Sequence, residues 1–151
     1  MQRVPLLELP ALARSVLSGL APKSKATVVA LRGDLGAGKT TFTQALAREL
    51  GITGTVQSPT YVLMKKYEIK KVSPFKTLVH IDAYRLEKPE EFSALRPEEF
   101  LNDPSCLVVV EWPERLGGVL PQPSLTLDFS SDPPAGRAGA ASEGERYIEV
   151  V

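Results

Sequence analysis

The chain of 151 residues carries 18 basic and 18 acidic side chains, a formal net charge of +0, and one cysteine. That length suits one domain with one substantial core, and the charge balance excludes a nucleic-acid footprint spread over the whole surface, though not a local patch. Cys106 has no cysteine to pair with, which fits a reducing cytoplasm, and no apolar run approaches the ~20 residues that a membrane-spanning helix needs.

The first residues, Met1-Gln2-Arg3-Val4-Pro5, lack the apolar core of a signal peptide. Leu9, Leu12, Ala13, Val16, Leu17 and Leu20 recur at helical spacing and predict a helix over 9–20. Ala21-Pro22-Lys23-Ser24 breaks it. Residues 27–32 are apolar almost throughout, as in a strand covered on both faces. A glycine-rich loop follows, and then a helix over 41–50 closed by Gly51. Residues 60–69 and 76–81 are rich in β-formers and flank a turn-like stretch, so they predict a hairpin and a partly antiparallel sheet. Pro89-Glu90-Glu91-Phe92 and Arg96-Pro97-Glu98-Glu99-Phe100-Leu101 each start a short helix, with proline near the first position and acids in the first turn. Leu107-Val108-Val109-Val110 predicts a buried strand, and Cys106 ahead of it reads as a buried structural thiol. Leu125–Phe129 and Tyr147–Val151 alternate and predict the strands that end the sheet. Between them, residues 130–145 have no apolar period and are rich in Gly, Pro, Ala and Ser, which predicts a mobile loop. The expected fold is a single α/β domain over 1–151: a P-loop NTPase-like sheet, mixed parallel and antiparallel, flanked by helices.

Gly33-Asp34-Leu35-Gly36-Ala37-Gly38-Lys39-Thr40 matches G-x-x-x-x-G-K-[ST] in full, between a strand and a helix, which is the context that motif needs. Glycines let successive backbone N–H groups curl around an anion, and the helix N-terminus turns its positive dipole end to the same place. Lys39 can then reach the β- and γ-phosphates of a nucleotide, and the Thr40 hydroxyl can hold Mg²⁺. Such a site also needs an acid at the end of a neighbouring strand. Asp82 ends Leu78–Ile81 and Glu111 ends Leu107–Val110. Ligands of open α/β sheets sit outside the carboxyl ends of the strands, so both acids are expected to face the nucleotide. Ser58-Pro59-Thr60-Tyr61 lies where switch loops sense the γ-phosphate, and reads equally as a Ser-Pro turn into a strand. His80, the one histidine, sits in an apolar strand and reads as a core residue rather than a catalytic one.

Four blocks, taken together and in order, resemble the TsaE family of bacterial ATPases needed to make threonylcarbamoyladenosine in tRNA. They are Gly33–Thr41, Ser58–Tyr61, His80-Ile81-Asp82-Ala83-Tyr84-Arg85-Leu86 and Glu111-Trp112-Pro113-Glu114. The resemblance covers roughly residues 9–129. It implies ATP on the 33–41 loop, Mg²⁺ held by Thr40 and Glu111, a role in hydrolysis for Asp82 beside Lys39, and a switch at Ser58–Tyr61. It further implies a basic residue near the last strand touching the nucleotide, for which Arg146 is the candidate. The implied partners are TsaD and TsaB, with tRNA met only through their complex and no membrane involved. Three features depart from the family pattern: Leu9 or Pro10 stands where a threonine is usual near the adenine, and the 58–82 hairpin and the 130–145 loop are long.

Other classes fit less well. A P-loop small-molecule kinase usually has an arginine-bearing lid, for which Arg137 is a lone candidate. A GTPase would carry a guanine-reading Asn-Lys-x-Asp, which this sequence lacks. A binding module ordered by nucleotide differs from an ATPase only in the absence of turnover.

Overall fold

The two apolar runs predicted as buried strands, 27–32 and 107–110, lie side by side inside one seven-stranded sheet. A computed structural model describes residues 2–54, 63–132 and 145–151. The strands are β1 (Gln2–Pro5), β2 (Thr27–Gly33), β3 (Met64–Glu68), β4 (Thr77–Asp82), β5 (Cys106–Glu111), β6 (Leu125–Ser130) and β7 (Glu145–Val150). Their order is β1-β7-β6-β2-β5-β4-β3. The central four, β6, β2, β5 and β4, run parallel, while β7 joins β6 and β3 joins β4 antiparallel. The sheet is thus mixed, and β3 and β4 form the predicted antiparallel hairpin, with β3 shorter than the predicted 60–69, of which 60–62 lie outside the described residues.

Side chains of a strand alternate between faces, and the core divides accordingly. Val29, Leu31, Leu78, Leu107, Val109 and Leu127 face α1 (Leu9–Gly19) and α2 (Lys39–Glu49). Val28, Val79, Ile81, Val108 and Val110 face the short helices α3 (Glu90–Ser93) and α4 (Glu98–Leu101) with Phe92, Phe100 and Leu116. Helices on both faces explain why β2, β4 and β5 read as continuous apolar runs. Each fully buried side chain of this size contributes about 1.5–3 kcal/mol. Cys106 is buried at the start of β5, as expected of a structural thiol; burial, reinforced by the charge of Asp103, pushes it up to about 11.

The structure corrects several boundaries. The N-terminal residues form β1, which pairs antiparallel with β7 through Val4 and Arg146. Four residues are too few to show a period of two, and only the free side of β7 makes them a strand. β7 is therefore internal, and β1 and β3 are the edges of the sheet. α2 begins at Lys39, so the end of the glycine loop is already helical. Pro113–Val119 forms a 3₁₀ segment entered through Trp112, whose φ of 60° is left-handed. Ser130 and Glu145 are strand residues. The rest of the predicted 130–145 loop from 133 to 144, and the predicted Ser58–Tyr61 switch, lie outside the described residues.

Candidate active site

The glycine loop leaves β2 at Gly33 and enters α2 at Gly38, and each of these glycines is required by its geometry. Gly33 has φ +127°, and a Cβ there would lie 2.0 Å from the carbonyl oxygen of Phe129. Gly38 has φ +103°, and a Cβ there would lie 3.4 Å from Cγ of Arg146. Arg146, on β7, thus lies across the loop although 108 positions of sequence separate it from Gly38. Its Nη1 donates to the carbonyl of Glu145 at 2.7 Å, and its buried Nε has no hydrogen-bond partner among the described residues. Within the loop, Ala37 is buried, while Asp34, Leu35 and Gly36 face solvent, as does Thr41 just beyond it.

Lys39 is 4 % exposed. Its Nζ donates to the carbonyls of Gly33 and Asp34 at 2.5 and 2.7 Å. It also lies 4.3 Å from the ring centre of Trp112, close enough for a cation–π contact. Burial lowers its pKa, and the carboxylates of Glu111, Asp82, Glu114 and Asp34 oppose that shift. Trp112 in turn packs on Tyr84 at 5.0 Å, and the Arg115 guanidinium lies over both rings.

The two strand-end acids meet as the topology requires. Asp82 and Glu111 are paired residues of β4 and β5, at the end of the sheet where the glycine loop lies. Pairing and alternation place both on the face covered by α2. Glu111 is almost fully buried, and the Thr40 hydroxyl lies 3.1 and 3.0 Å from its Oε1 and Oε2. Oε1 also accepts from Nε2 of His80 at 2.9 Å. Oδ1 of Asp82 accepts from the backbone N–H of Tyr84 at 3.0 Å, which fixes the turn after β4.

The fold therefore gathers Lys39, Thr40, Asp82, Glu111 and Arg146 around one loop. Sequence reasoning left two neighbours aside. His80 is buried, as a core histidine is, but its bond is to a site carboxylate. Trp112 directly follows Glu111, and no periodicity could show that its ring would cover Lys39.

A hydroxyl and a carboxylate set together beside a glycine loop form an oxygen-donor pair that suits Mg²⁺, which usually takes one or two protein oxygens and completes its shell with phosphates and water. Among the described residues there is no cluster of three or more His, Cys, Asp or Glu side chains that would cage a metal by protein alone.

A parallel core with antiparallel edges, a glycine loop between its central strand and a helix, and acids on the adjoining strand ends define the P-loop NTPase-like α/β class. Residues 7–138 match the family model for the threonylcarbamoyl adenosine biosynthesis protein TsaE, and the chain belongs to that family. It is 40% identical over 111 residues to the tRNA threonylcarbamoyladenosine biosynthesis protein TsaE of Haemophilus influenzae, covering 72% of this chain and 66% of the relative. To the Bacillus subtilis protein of the same description it is 45% identical, covering 66% of this chain and 59% of the relative. To that of Treponema pallidum it is 37% identical, covering 83% and 82%. The chain thus spans slightly under two thirds of the Haemophilus and Bacillus relatives. The structure resembles the crystal structure of Bacillus subtilus YdiB with a TM-score of 0.65 at 29% identity, covering 97% of this chain and 80% of that one. Among the described residues no helix is long and apolar enough to cross a membrane.

Proposed function

We propose that this chain binds ATP with Mg²⁺ on the 33–41 loop and hydrolyses it as an accessory ATPase of tRNA threonylcarbamoyladenosine modification in the cytoplasm, acting on the TsaD–TsaB complex. The observation that carries the ATPase part is the Thr40 hydroxyl set against both oxygens of Glu111, on the loop that also holds Lys39. The modification pathway is the one for which the relatives are named; the partners come from the family resemblance.

Each residue has a role that its position supports. The backbone N–H groups from Gly33 to Thr41 would surround the phosphates. The Lys39 ammonium would exchange its two loop carbonyls for phosphate oxygens, gaining charge-assisted bonds in place of neutral ones. Thr40 and Glu111 would hold Mg²⁺, which when bound offsets the charge that develops on the β- and γ-phosphates. Asp82, one strand across from Glu111, would orient the attacking water and receive its proton. Arg146 would bring a second cation to the nucleotide over Gly38. tRNA would be met through the TsaD–TsaB complex.

The test is phosphate release from Mg-ATP by this chain, alone and with the TsaD–TsaB complex. Basal turnover should be slow, on the order of 1 s⁻¹ or below, and the complex should raise it. A folded chain that binds no ATP defeats the nucleotide reading. Unchanged turnover with the complex defeats the accessory role alone.

A further inference from the structure

His80 lies among residues that give no packing reason for a histidine. On the same face its neighbours towards the middle of the strands are apolar, Leu78 on its own strand and Leu107 and Val109 on β5, while Lys65 pairs with it on β3 and Asp82 and Glu111 close the strand ends. Leucine or valine at 80 would continue that stripe. Instead the ring is fully buried, its Nε2 is committed to Oε1 of Glu111 at 2.9 Å, and its Nδ1 has no hydrogen-bond partner among the described residues. A buried nitrogen without a partner is a cost that an apolar residue would avoid. The position therefore accepts a penalty and gains one bond, and that bond ends on a carboxylate.

We propose that His80 is a positioning residue that holds the Glu111 carboxylate in the orientation a divalent cation needs; this rests on the reading of Thr40 and Glu111 as the cation's protein ligands. A glutamate side chain has three rotatable bonds, and the Thr40 hydroxyl has a single hydrogen to donate to its carboxylate. The carboxylate must accept a hydrogen bond from the ring, so Nε2 carries the hydrogen. Diagonal placement across the β4–β5 pairing aims that N–H at Oε1 from the strand side, while Thr40 meets the carboxylate from the helix side. Two contacts from opposite elements fix its plane. Partners of this kind behind a metal ligand typically change metal affinity by 10- to 100-fold.

The experiment measures Mn²⁺ binding by electron paramagnetic resonance in the presence of a non-hydrolysable ATP analogue, and analogue binding in EDTA by calorimetry. His80→Leu should weaken Mn²⁺ binding by about 10- to 100-fold and leave metal-free nucleotide affinity within about twofold. His80→Gln, whose amide nitrogen can take the place of Nε2, should recover most of the loss. In a Glu111→Ala background, His80→Leu should add nothing. If His80→Leu does not fold, His80→Asn, polar but too short to reach Oε1, carries the same comparison. Wild-type Mn²⁺ affinity in the leucine variant overturns the inference. So does an equal loss of metal-free nucleotide binding, which would mark a structural role, or a glutamine variant as poor as leucine. If the wild type binds the analogue but no Mn²⁺, the metal-site reading itself fails, and this inference with it.

Discussion

The Thr40 hydroxyl and the Glu111 carboxylate lie within 3.0 and 3.1 Å of one another although 71 positions separate them in sequence. The contact exists because β5 pairs parallel with β2, so the end of one strand meets the loop that leaves the other. It divides the two strand-end acids by position: Glu111 faces the helix N-terminus, while Asp82 is anchored to the turn that follows its own strand.

That division predicts two distinct phenotypes. Glu111→Ala should weaken Mg²⁺-dependent nucleotide binding, because it removes a proposed metal ligand. Asp82→Asn should bind nucleotide nearly as wild type and slow turnover, because it removes a proton acceptor and keeps the size and the Tyr84 contact. Calorimetry with and without Mg²⁺, combined with phosphate release, separates them. Loss of ATP binding in Asp82→Asn with normal turnover in Glu111→Ala would reverse the roles.

Lys39→Ala should lower ATP affinity by about 10- to 100-fold, since a charge-assisted hydrogen bond is worth roughly 1.5–3 kcal/mol. The side chain is already desolvated and held at the loop, so little ordering opposes its transfer to phosphate. Unchanged affinity in a folded variant, measured by calorimetry, would refute the assignment of the loop.

Gly33→Ala should destabilise the fold by more than about 2 kcal/mol, because a Cβ at φ +127° would sit 2.0 Å from a carbonyl oxygen of β6 and force β2 and β6 apart. Urea denaturation reads the loss. A variant as stable as wild type would show that β6 yields at that point without cost.

Cys106 should resist modification at pH 8 in the folded chain and react rapidly in urea. Its ordinary value is 9.0 and burial raises it to about 11. The folded state therefore holds this proton more tightly than the unfolded one. The associated stability is fully present below about pH 9 and is lost as pH climbs through 11. Denaturation midpoints from pH 8 to 11 should fall more steeply for wild type than for Cys106→Ala. Equal slopes would mean the thiol is less shielded than its burial suggests.

Thr60→Ala should keep ATP affinity and blunt the stimulation of turnover by the TsaD–TsaB complex. The expectation comes from Ser58-Pro59-Thr60-Tyr61 lying in sequence where a γ-phosphate sensor would be, with Pro59 restricting its conformations. Phosphate release with and without the complex decides it. Full stimulation of the variant would reduce the segment to a turn.

Much of this arrangement is legible in the chain itself. The glycine spacing, the apolar runs before it and the acids that end two of those runs are local patterns, and local patterns report strand, loop and helix directly. They alone place Lys39, Thr40, Asp82 and Glu111 at the same end of a sheet. The contacts themselves depend on strand order, which no local pattern encodes. β1 became a strand only because β7 offered it an unpaired side. Arg146 reached Gly38 only because β7 folds back beside β6, next but one to β2. Trp112 took a left-handed turn that lays its ring over Lys39. The apolar setting of His80 identified it as buried, yet only the register of β4 against β5 made its neighbour a carboxylate. Residue type and spacing determined which groups could do the chemistry, since those follow from covalent structure and short-range periodicity. Which of them touch was decided by the tertiary fold, because hydrogen bonds between distant strands are fixed by the packing of the whole sheet.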